Sequence, residues 1–157
     1  MELVELIFVP YKQIGKLTFG MQREDAWKIC GKYQRTFKYG FPVEDRFDDD
    51  YGNYDLLFSK DQKLEAVMLF PEFFVDKSRR FILNYQGKKV PLSTDTEKFI
   101  HFLTEITDSL TEDEDGEGYS DKTLGLKIYC PEREIENIII HDRHCYDEEQ
   151  EYIKNNL

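Results

Sequence analysis

The stretch LEAVML at residues 64–69 is matched 71 residues later by IENIII at residues 135–140, and this pair of stretches decides the fold. Each is rich in apolar residues, and each follows a polar turn, at 60–63 in the first case and 131–133 in the second. An apolar strand, a short polar turn and a second apolar strand predict an antiparallel hairpin. The paired strands are 55–59 with 64–70, and 124–130 with 134–141.

Two earlier blocks recur in the same order, which predicts an internal duplication of the whole unit. They are offset by 73 residues, at Lys16 with Lys89 and at Glu24 with Glu97. Chance similarity of short apolar segments is the alternative explanation. Each half then consists of an extended segment, a helix, an acidic connection and a hairpin. The expected bounds are about 11–75 for repeat 1, about 80–145 for repeat 2, and about 146–157 for a C-terminal tail or short helix.

The two predicted helices carry apolar residues at helical spacing. The first surrounds Glu24, and Gly31 interrupts it or ends its first part, because glycine inside a helix costs about 1 kcal/mol relative to alanine. The second can be capped by Ser93 or Thr94 and is expected to end between residues 108 and 110. The expected buried positions are Ala26, Trp27, Ile29, Cys30 and Tyr33 in the first helix, and Phe99, Ile100, Phe102, Leu103 and Ile106 in the second.

Hairpins and helices together predict the fold class. A third hairpin is expected from 81–85 and 89–92, on either side of a turn at 86–88. Three hairpins and two helices predict an α+β fold, with one mainly antiparallel sheet covered by helices. A chain of 157 residues has the usual size of one domain, so residues 1–157 are expected to fold as a single domain.

The charge of the chain restricts the kind of partner. It has 32 acidic and 21 basic side chains and a net charge of −11. Such a surface repels phosphate backbones and anionic lipid headgroups, so neither nucleic acid nor a membrane is an expected partner. A basic protein is favoured, since complementary charge speeds encounter and selects among partners. High solubility is the simpler explanation of the same charge.

The cysteines and the N-terminal residues predict a cytoplasmic protein. Cys30, Cys130 and Cys145 are odd in number and widely spaced, which fits a reducing compartment better than a disulfide framework. Residues 1–10 contain glutamates where a signal peptide needs basic side chains. No later apolar run reaches the length of a membrane span.

Two acidic segments are the candidate binding site. DDD at 48–50 precedes YGNY at 51–54, and EDEDGEG at 112–118 precedes Tyr119. Clustered carboxylates repel one another until a partner's lysine or arginine relieves the repulsion, and neighbouring tyrosines supply contact area. Two solvated loops are the alternative interpretation. The candidate partner-binding residues are Asp48, Asp49, Asp50, Tyr51, Tyr54, Glu112, Asp113, Glu114, Asp115, Glu117 and Tyr119.

The sequence lacks the usual patterns of metal and catalytic sites. Neither Gly52 nor Gly116 can take position 6 of an EF-hand loop, because the ligand positions around it are then occupied by unsuitable residues. His141, His144 and Cys145 are close in sequence, but a zinc site needs a second cluster and a cysteine nucleophile needs a base nearby in space. No cofactor, no metal and no enzymatic activity are expected.

Residues 11–14 and 19–31 carry a resemblance to known families. YKQI, followed by FGMQREDAWKICG, is similar to the Gly-Met and helix pattern of the tandem-repeat inhibitors typified by the β-lactamase inhibitory protein and the BamE-like fold. The resemblance implies a helix followed by antiparallel strands, and in the duplicated member a concave sheet that clamps a partner protein. The second half has Ser93-Thr94 in place of Gly-Met. Small size, acidity and duplication also resemble bacterial toxin immunity proteins.

These features favour a non-enzymatic binding protein. The leading hypothesis is an immunity protein that covers the active surface of a basic, nuclease-like toxin with its carboxylates. A domain that binds a peptide or a regulator without charge matching is the first alternative. A small hydrolase that uses His141, His144 or Cys145 is the second.

Overall fold

Two β-sheets and three helices form the part of the chain described by the structure, a computed structural model that covers residues 2–72 and 79–156. The side chains of Glu2, Leu3, Arg79 and Arg80 are left out of the description. The strands are β1 (Glu2–Val9), β2 (Gln13–Ile14), β3 (Leu17–Thr18), β4 (Arg35–Tyr39), β5 (Arg46–Asp50), β6 (Tyr54–Phe58), β7 (Leu64–Leu69), β8 (Arg79–Tyr85), β9 (Lys88–Pro91), β10 (Leu110–Glu112), β11 (Gly118–Asp121), β12 (Leu126–Tyr129) and β13 (Asn137–His141). The helices are α1 (Arg23–Cys30), α2 (Thr96–Thr104) and α3 (Asp147–Asn156).

The larger sheet has eight antiparallel strands in the order β10-β11-β12-β13-β7-β6-β5-β4. Strands β4 to β7 follow α1 and form one side of it, whereas β10 to β13 follow α2 and form the other. The two sides meet where β7 pairs with β13, and Met68 stands opposite Ile139 at that junction. The hairpins predicted from the two apolar stretches are confirmed as β6–β7 and β12–β13.

The smaller sheet has five strands in the order β3-β2-β1-β8-β9. Its central pair, β1 and β8, is parallel, with Val4 aligned with Phe81 and Ile7 with Asn84. The hairpin predicted at 81–92 is confirmed as β8–β9. The expectation of one sheet is wrong, because β8 and β9 pair with the N-terminal strand and build a second layer.

The core lies between the two sheets. One buried cluster contains Phe8 of β1, Leu83 of β8, Val67 of β7 and Ile138 of β13. Ala26 of α1, and Phe99 and Leu103 of α2, belong to the same cluster. We call the face of the larger sheet that carries Val67 and Ile138 the inner face, and the opposite one the outer face.

The helix ends differ in part from the sequence prediction. Gly31 ends α1 rather than interrupting it, and its N–H donates to the Trp27 carbonyl. Tyr33 therefore lies beyond the helix. The cap of α2 is Asp95 rather than Ser93 or Thr94, because its carboxylate accepts the Lys98 N–H at 3.1 Å. That helix ends at Thr104, earlier than predicted.

The buried stripe predicted for α1 is only partly correct. Ala26 is fully buried, whereas Ile29 is 42% exposed. The helix is short and lies at the margin of the core, so only part of its apolar stripe meets other residues. Among the described residues, no helix combines the length and the apolar character needed to cross a lipid bilayer.

Candidate functional site

The residues predicted to bind a partner divide into three groups instead of forming one surface. Asp48, Asp49 and Asp50 lie in strand β5, not in a loop. The acidic segment 112–117 lies at the turn between β10 and β11, near the other edge of the larger sheet. Five strand spacings, about 24 Å, separate β5 from β11. The two acidic segments therefore do not form one continuous surface.

The first group supports the core. Asp49 is fully buried and accepts from Arg23 at 2.6 and 2.9 Å, from Trp27 Nε1 at 3.0 Å and from the Thr36 hydroxyl at 2.9 Å. The Arg23 guanidinium also lies 4.5 Å from the ring centre of Phe47. This carboxylate joins α1 to the sheet and is not accessible to a partner.

The three tyrosines of the predicted site also contact the core. Tyr51 and Tyr54 stack with ring centres 5.0 Å apart, and the Tyr51 hydroxyl donates to the Gly31 carbonyl at 2.8 Å. Tyr119 is half-buried against the same cluster. These rings stabilise the inner face, so they are not free contact area for a partner.

The second group is the acidic turn, where two carboxylates accept hydrogen bonds from nearby residues of the chain. Asp113 accepts from the Ser120 hydroxyl at 2.7 Å, and Asp115 accepts from the Glu117 N–H at 2.9 Å. Glu112, Glu114 and Glu117 are exposed. In the described ranges, no three His, Cys, Asp or Glu side chains are grouped closely enough to hold a metal ion.

The histidines and the cysteine of the hydrolase hypothesis make separate contacts. Burial raises the pKa of the Cys145 thiol, which keeps it protonated. Burial lowers the pKa of His141, whose Nδ1 lies 2.7 Å from the Asp142 carbonyl. His144 is exposed and its Nδ1 lies 2.8 Å from Asp147. This arrangement provides no thiolate for nucleophilic attack.

The third group is Asp48 and Asp50, which lie on the outer face, where Asp48 lines a groove. The cavity has a volume of about 380 Å³. Its floor is apolar and comes from Leu57, Met68 and Ile139, on three consecutive strands. Aromatic and charged side chains form its walls and rim. They are Tyr39, Phe41, Arg46, Asp48, Tyr146 and Glu149.

A cluster of three aspartates borders this groove. Asp50 stands opposite Asp55 in the β5–β6 pair, and Asp48 lies two residues along β5 on the same face. Asp48 and Asp55 are close enough for a hydrogen bond between their side chains to shift the pKa of both. Two carboxylates can form such a bond only when one carries a proton, so this pair shares a proton. In the described part of the chain, neither Oδ1 has a donor group as partner.

Burial determines the ionisation of the cluster. Burial and the neighbouring Asp48 raise the pKa of Asp55 to about 8. Burial also raises the pKa of Asp48. For Asp50 burial acts in the same direction, but the Gly52 N–H and Arg35, each at 2.7 Å, outweigh it and lower the pKa. These shifts favour the ionised form of Asp50 and a proton held by the Asp48–Asp55 pair at neutral pH.

The C-terminal segment covers one end of the groove. The Cys145 carbonyl accepts from Arg46 Nη1 at 2.8 Å, and Glu148 of α3 lies 3.2 Å from Arg46 Nη2. The rings of Phe41 and Tyr152 meet edge to face at 4.9 Å. Because α3 has no buried residue, these few contacts hold it against the sheet.

Sequence reasoning missed most of this groove. The signal that could have found Asp55 is the turn at 51–54: folding the chain there places Asp50 opposite Asp55. No sequence signal indicates the walls of the groove, because Tyr146 and Glu149 reach it only when the end of the chain folds back across the sheet.

Comparison of this chain with protein families, with curated proteins and with solved structures finds no match.

Proposed function

We propose that this chain is a non-catalytic binding protein that captures a basic protein partner through the outer-face groove. The observation that supports this most strongly is the composition of the groove, which has an apolar floor, aromatic walls and carboxylates at its rim. Apolar and aromatic surface supplies most of the affinity in protein interfaces, and carboxylates select a cationic partner. The net charge of −11 would draw such a partner in.

In its most specific form, the proposal is an immunity protein for a basic, nuclease-like toxin. A nuclease presents a cationic surface to phosphates, and an acidic protein that covers that surface blocks its substrate. The protonated, buried Cys145 and the separate contacts of the two histidines agree with a role that needs no chemistry. Three unpaired cysteines favour a cytoplasmic location.

The duplication belongs to this proposal because it explains the scaffold. In the larger sheet, β6, β5 and β4 follow outward from β7, and β12, β11 and β10 follow outward from β13, so the two sides have the same strand order. The central register is symmetric under an offset of 71 residues, since Met68 pairs with Ile139 and Leu69 with Ile138, while Val67 pairs with Ile140. We infer two diverged copies of one unit, each a helix followed by four antiparallel strands, with the helices packed on the inner face.

One observation favours a second candidate function, the binding of an apolar peptide. Strand β4 is an edge strand of the larger sheet, and Phe37 on it is 48% exposed. An extended peptide could pair with such an edge through backbone hydrogen bonds. This mode would respond little to salt, which separates it from the leading proposal.

The test uses the basic domain encoded next to this gene, if one is present in the operon, and measures association by stopped-flow fluorescence. For charge-driven capture, the association rate should fall at least tenfold between about 50 and about 500 mM NaCl. Asp48→Asn and Glu149→Gln should weaken binding, whereas Glu114→Gln in the distant acidic turn is the matched control and should not. Salt-independent binding that is indifferent to both groove variants would exclude the proposal.

A further inference from the structure

We propose that the Asp48–Asp55 pair and the adjoining groove form a receptor for one guanidinium group, presented by an arginine of the partner. This inference rests on the proposed function and names the side chain that the partner inserts. It is based on four features of the outer face: the geometry of the pair, the lack of a cation beside it among the described residues, the lining of the groove and the shared proton.

The pair lies on the same face of the larger sheet as the groove. Asp48 lines the cavity, and Asp55 is 8% exposed and stands opposite Met68 of the floor. The Oδ1 atoms of both residues are inaccessible to water and have no donor as partner among the described residues. A guanidinium presents five N–H donors in a planar fork and can bind two carboxylates at once.

The arginines of the neighbouring strands bind groups other than the Asp48–Asp55 pair. Arg35 donates to Asp50 through Nε and Nη2 at 3.1 and 2.7 Å. Arg46 lies at the other end of the groove, where it contacts Glu65, Glu148 and the Cys145 carbonyl. The pair therefore keeps its negative charge without an internal counter-ion on this face of β4 and β5.

The groove lining suits the rest of an arginine side chain. The apolar floor of Leu57, Met68 and Ile139 can pack against its three methylene groups. Tyr39 and Phe41 also line the groove, and a guanidinium stacks on aromatic rings more favourably than an ammonium because it is planar and weakly hydrated. The ring of Tyr146 is already contacted by Lys127 at 4.5 Å. Glu149 at the rim adds a further negative charge. These properties favour arginine over lysine.

The shared proton links binding to pH. Burial raises the pKa of Asp55 to about 8, so the pair holds a proton at neutral pH. A guanidinium that binds both carboxylates must displace this proton. Affinity should therefore rise with pH, about tenfold per unit, up to the pKa and then level off. The other charged groups on this face are Asp50, Arg35, Arg46 and Glu149. The Gly52 N–H and Arg35 lower the pKa of Asp50, so Asp50 does not produce this profile. Burial raises the pKa of Glu65, which contacts Arg46 at the other end of the groove, to about 7, so the Asp55→Asn variant is needed to assign the profile to the pair.

The test uses N-butylguanidinium as the probe, with N-butylurea, which has nearly the same shape and no charge, as the matched control. Titration to about 50 mM is followed by amide and methyl NMR shifts of Leu57, Met68 and Ile139, and the Asp55 carboxyl carbon is followed by ¹³C NMR. We expect the guanidinium to shift these signals in a saturable manner, more strongly at pH 8 than at pH 6, and to lower the pKa of Asp55. The urea should have no effect.

Asp55→Asn keeps the shape of the side chain and mimics its protonated form, so it should weaken the guanidinium shifts and remove their increase between pH 6 and pH 8. Glu114→Gln in the distant turn should leave them unchanged. Equal shifts with the urea, or an Asp55 pKa that the guanidinium does not move, would overturn the receptor. If the receptor fails while partner association still slows with salt, the proposed function stands without it. If partner association is independent of salt, the proposed function fails whatever the probe does.

Discussion

At the scale of single residues, Arg23 and Asp49 form a buried ion pair that is costly to disrupt. Their side chains are 9% and 0% exposed, and the ion pair is 2.6 Å long. Removing one partner of a buried ion pair leaves the other charge buried without compensation, which typically costs 3–5 kcal/mol. Arg23→Met should therefore lower the free energy of unfolding by about 3–5 kcal/mol in urea denaturation.

The control for this prediction lies on the same helix. Lys28 and Asp25 form an exposed pair at 3.2 Å, and such pairs contribute little because solvent screens them. Lys28→Met should change the free energy of unfolding by less than about 0.5 kcal/mol. Equal losses of unfolding free energy in the two variants would show that the buried pair contributes no more to stability than the exposed pair.

The raised pKa of Asp55 predicts an unusual pH dependence of stability. Its folded pKa of about 8 lies above the ordinary value of 3.8, so between these values the folded state binds more protons than the unfolded state. Stability from this residue is then complete at low pH and is lost as pH rises through that window, by up to about 1.4 kcal/mol per unit. Asp55→Asn should flatten the profile of unfolding free energy against pH between 5 and 8. An unchanged slope would contradict the raised pKa.

Gly118 lies where β11 and β12 approach each other closely. A Cβ at this position would stand 2.0 Å from the Ile128 carbonyl oxygen, so the strands would have to separate. Gly118→Ala should cost at least about 2 kcal/mol of unfolding free energy, measured in urea. Gly116→Ala, in the adjacent turn, meets no atom and bears only the strain of its positive φ of 73°, about 1 kcal/mol. A smaller loss at 118 than at 116 would disprove the close approach.

At the scale of elements, helix α3 is held to the sheet by few contacts. It has no buried residue, and its main contacts are Phe41 with Tyr152 and Arg46 with Glu148. A chain that ends after Tyr146 should remain folded and lose only about 1–2 kcal/mol of unfolding free energy. One that ends after His144 also loses Cys145, which is buried and binds Arg46 through its carbonyl, and should lose clearly more. Comparable losses would mean that α3 itself anchors the segment.

The sequence predicted elements well where the signal is local. The hairpins β6–β7, β8–β9 and β12–β13 follow from apolar runs on either side of polar turns. Strands β5 and β10 escaped prediction because their residues are mostly polar, and they become strands by pairing with neighbours already in the sheet. The groove was beyond reach for the same reason, since it depends on which residues face each other across β5 and β6 and on the return of residues 145–149.

At the scale of the whole molecule, one core joins both halves of the chain. Residues before and after the midpoint, such as Phe58 and Phe99, are fully buried in the same cluster, and β7–β13 pairing connects the two sides of the larger sheet. Unfolding should therefore be a single cooperative transition. Trp27, the only tryptophan, reports on the first half by fluorescence, and far-UV circular dichroism reports on the whole. Their urea midpoints should coincide.

A variant extends this prediction to the second half. Tyr129→Trp introduces a fluorophore at an exposed position of β12, and Trp27→Phe removes the original one. The midpoint seen by the new tryptophan should equal that seen by circular dichroism for the same variant. Two separated midpoints would mean that the halves unfold as independent units.

The parallel pairing of β1 with β8 has a consequence for synthesis on the ribosome. The residues paired at the start of these strands, 2 and 79, are separated by 77 positions, which a ribosome needs about 4–15 s to translate. During that interval the nascent β1 has one edge open to other emerging chains. Lys89, which forms an ion pair with Glu5, is translated later still. Until then the charge of Glu5 is not neutralised, and a charged side chain on an open strand edge disfavours pairing with other chains.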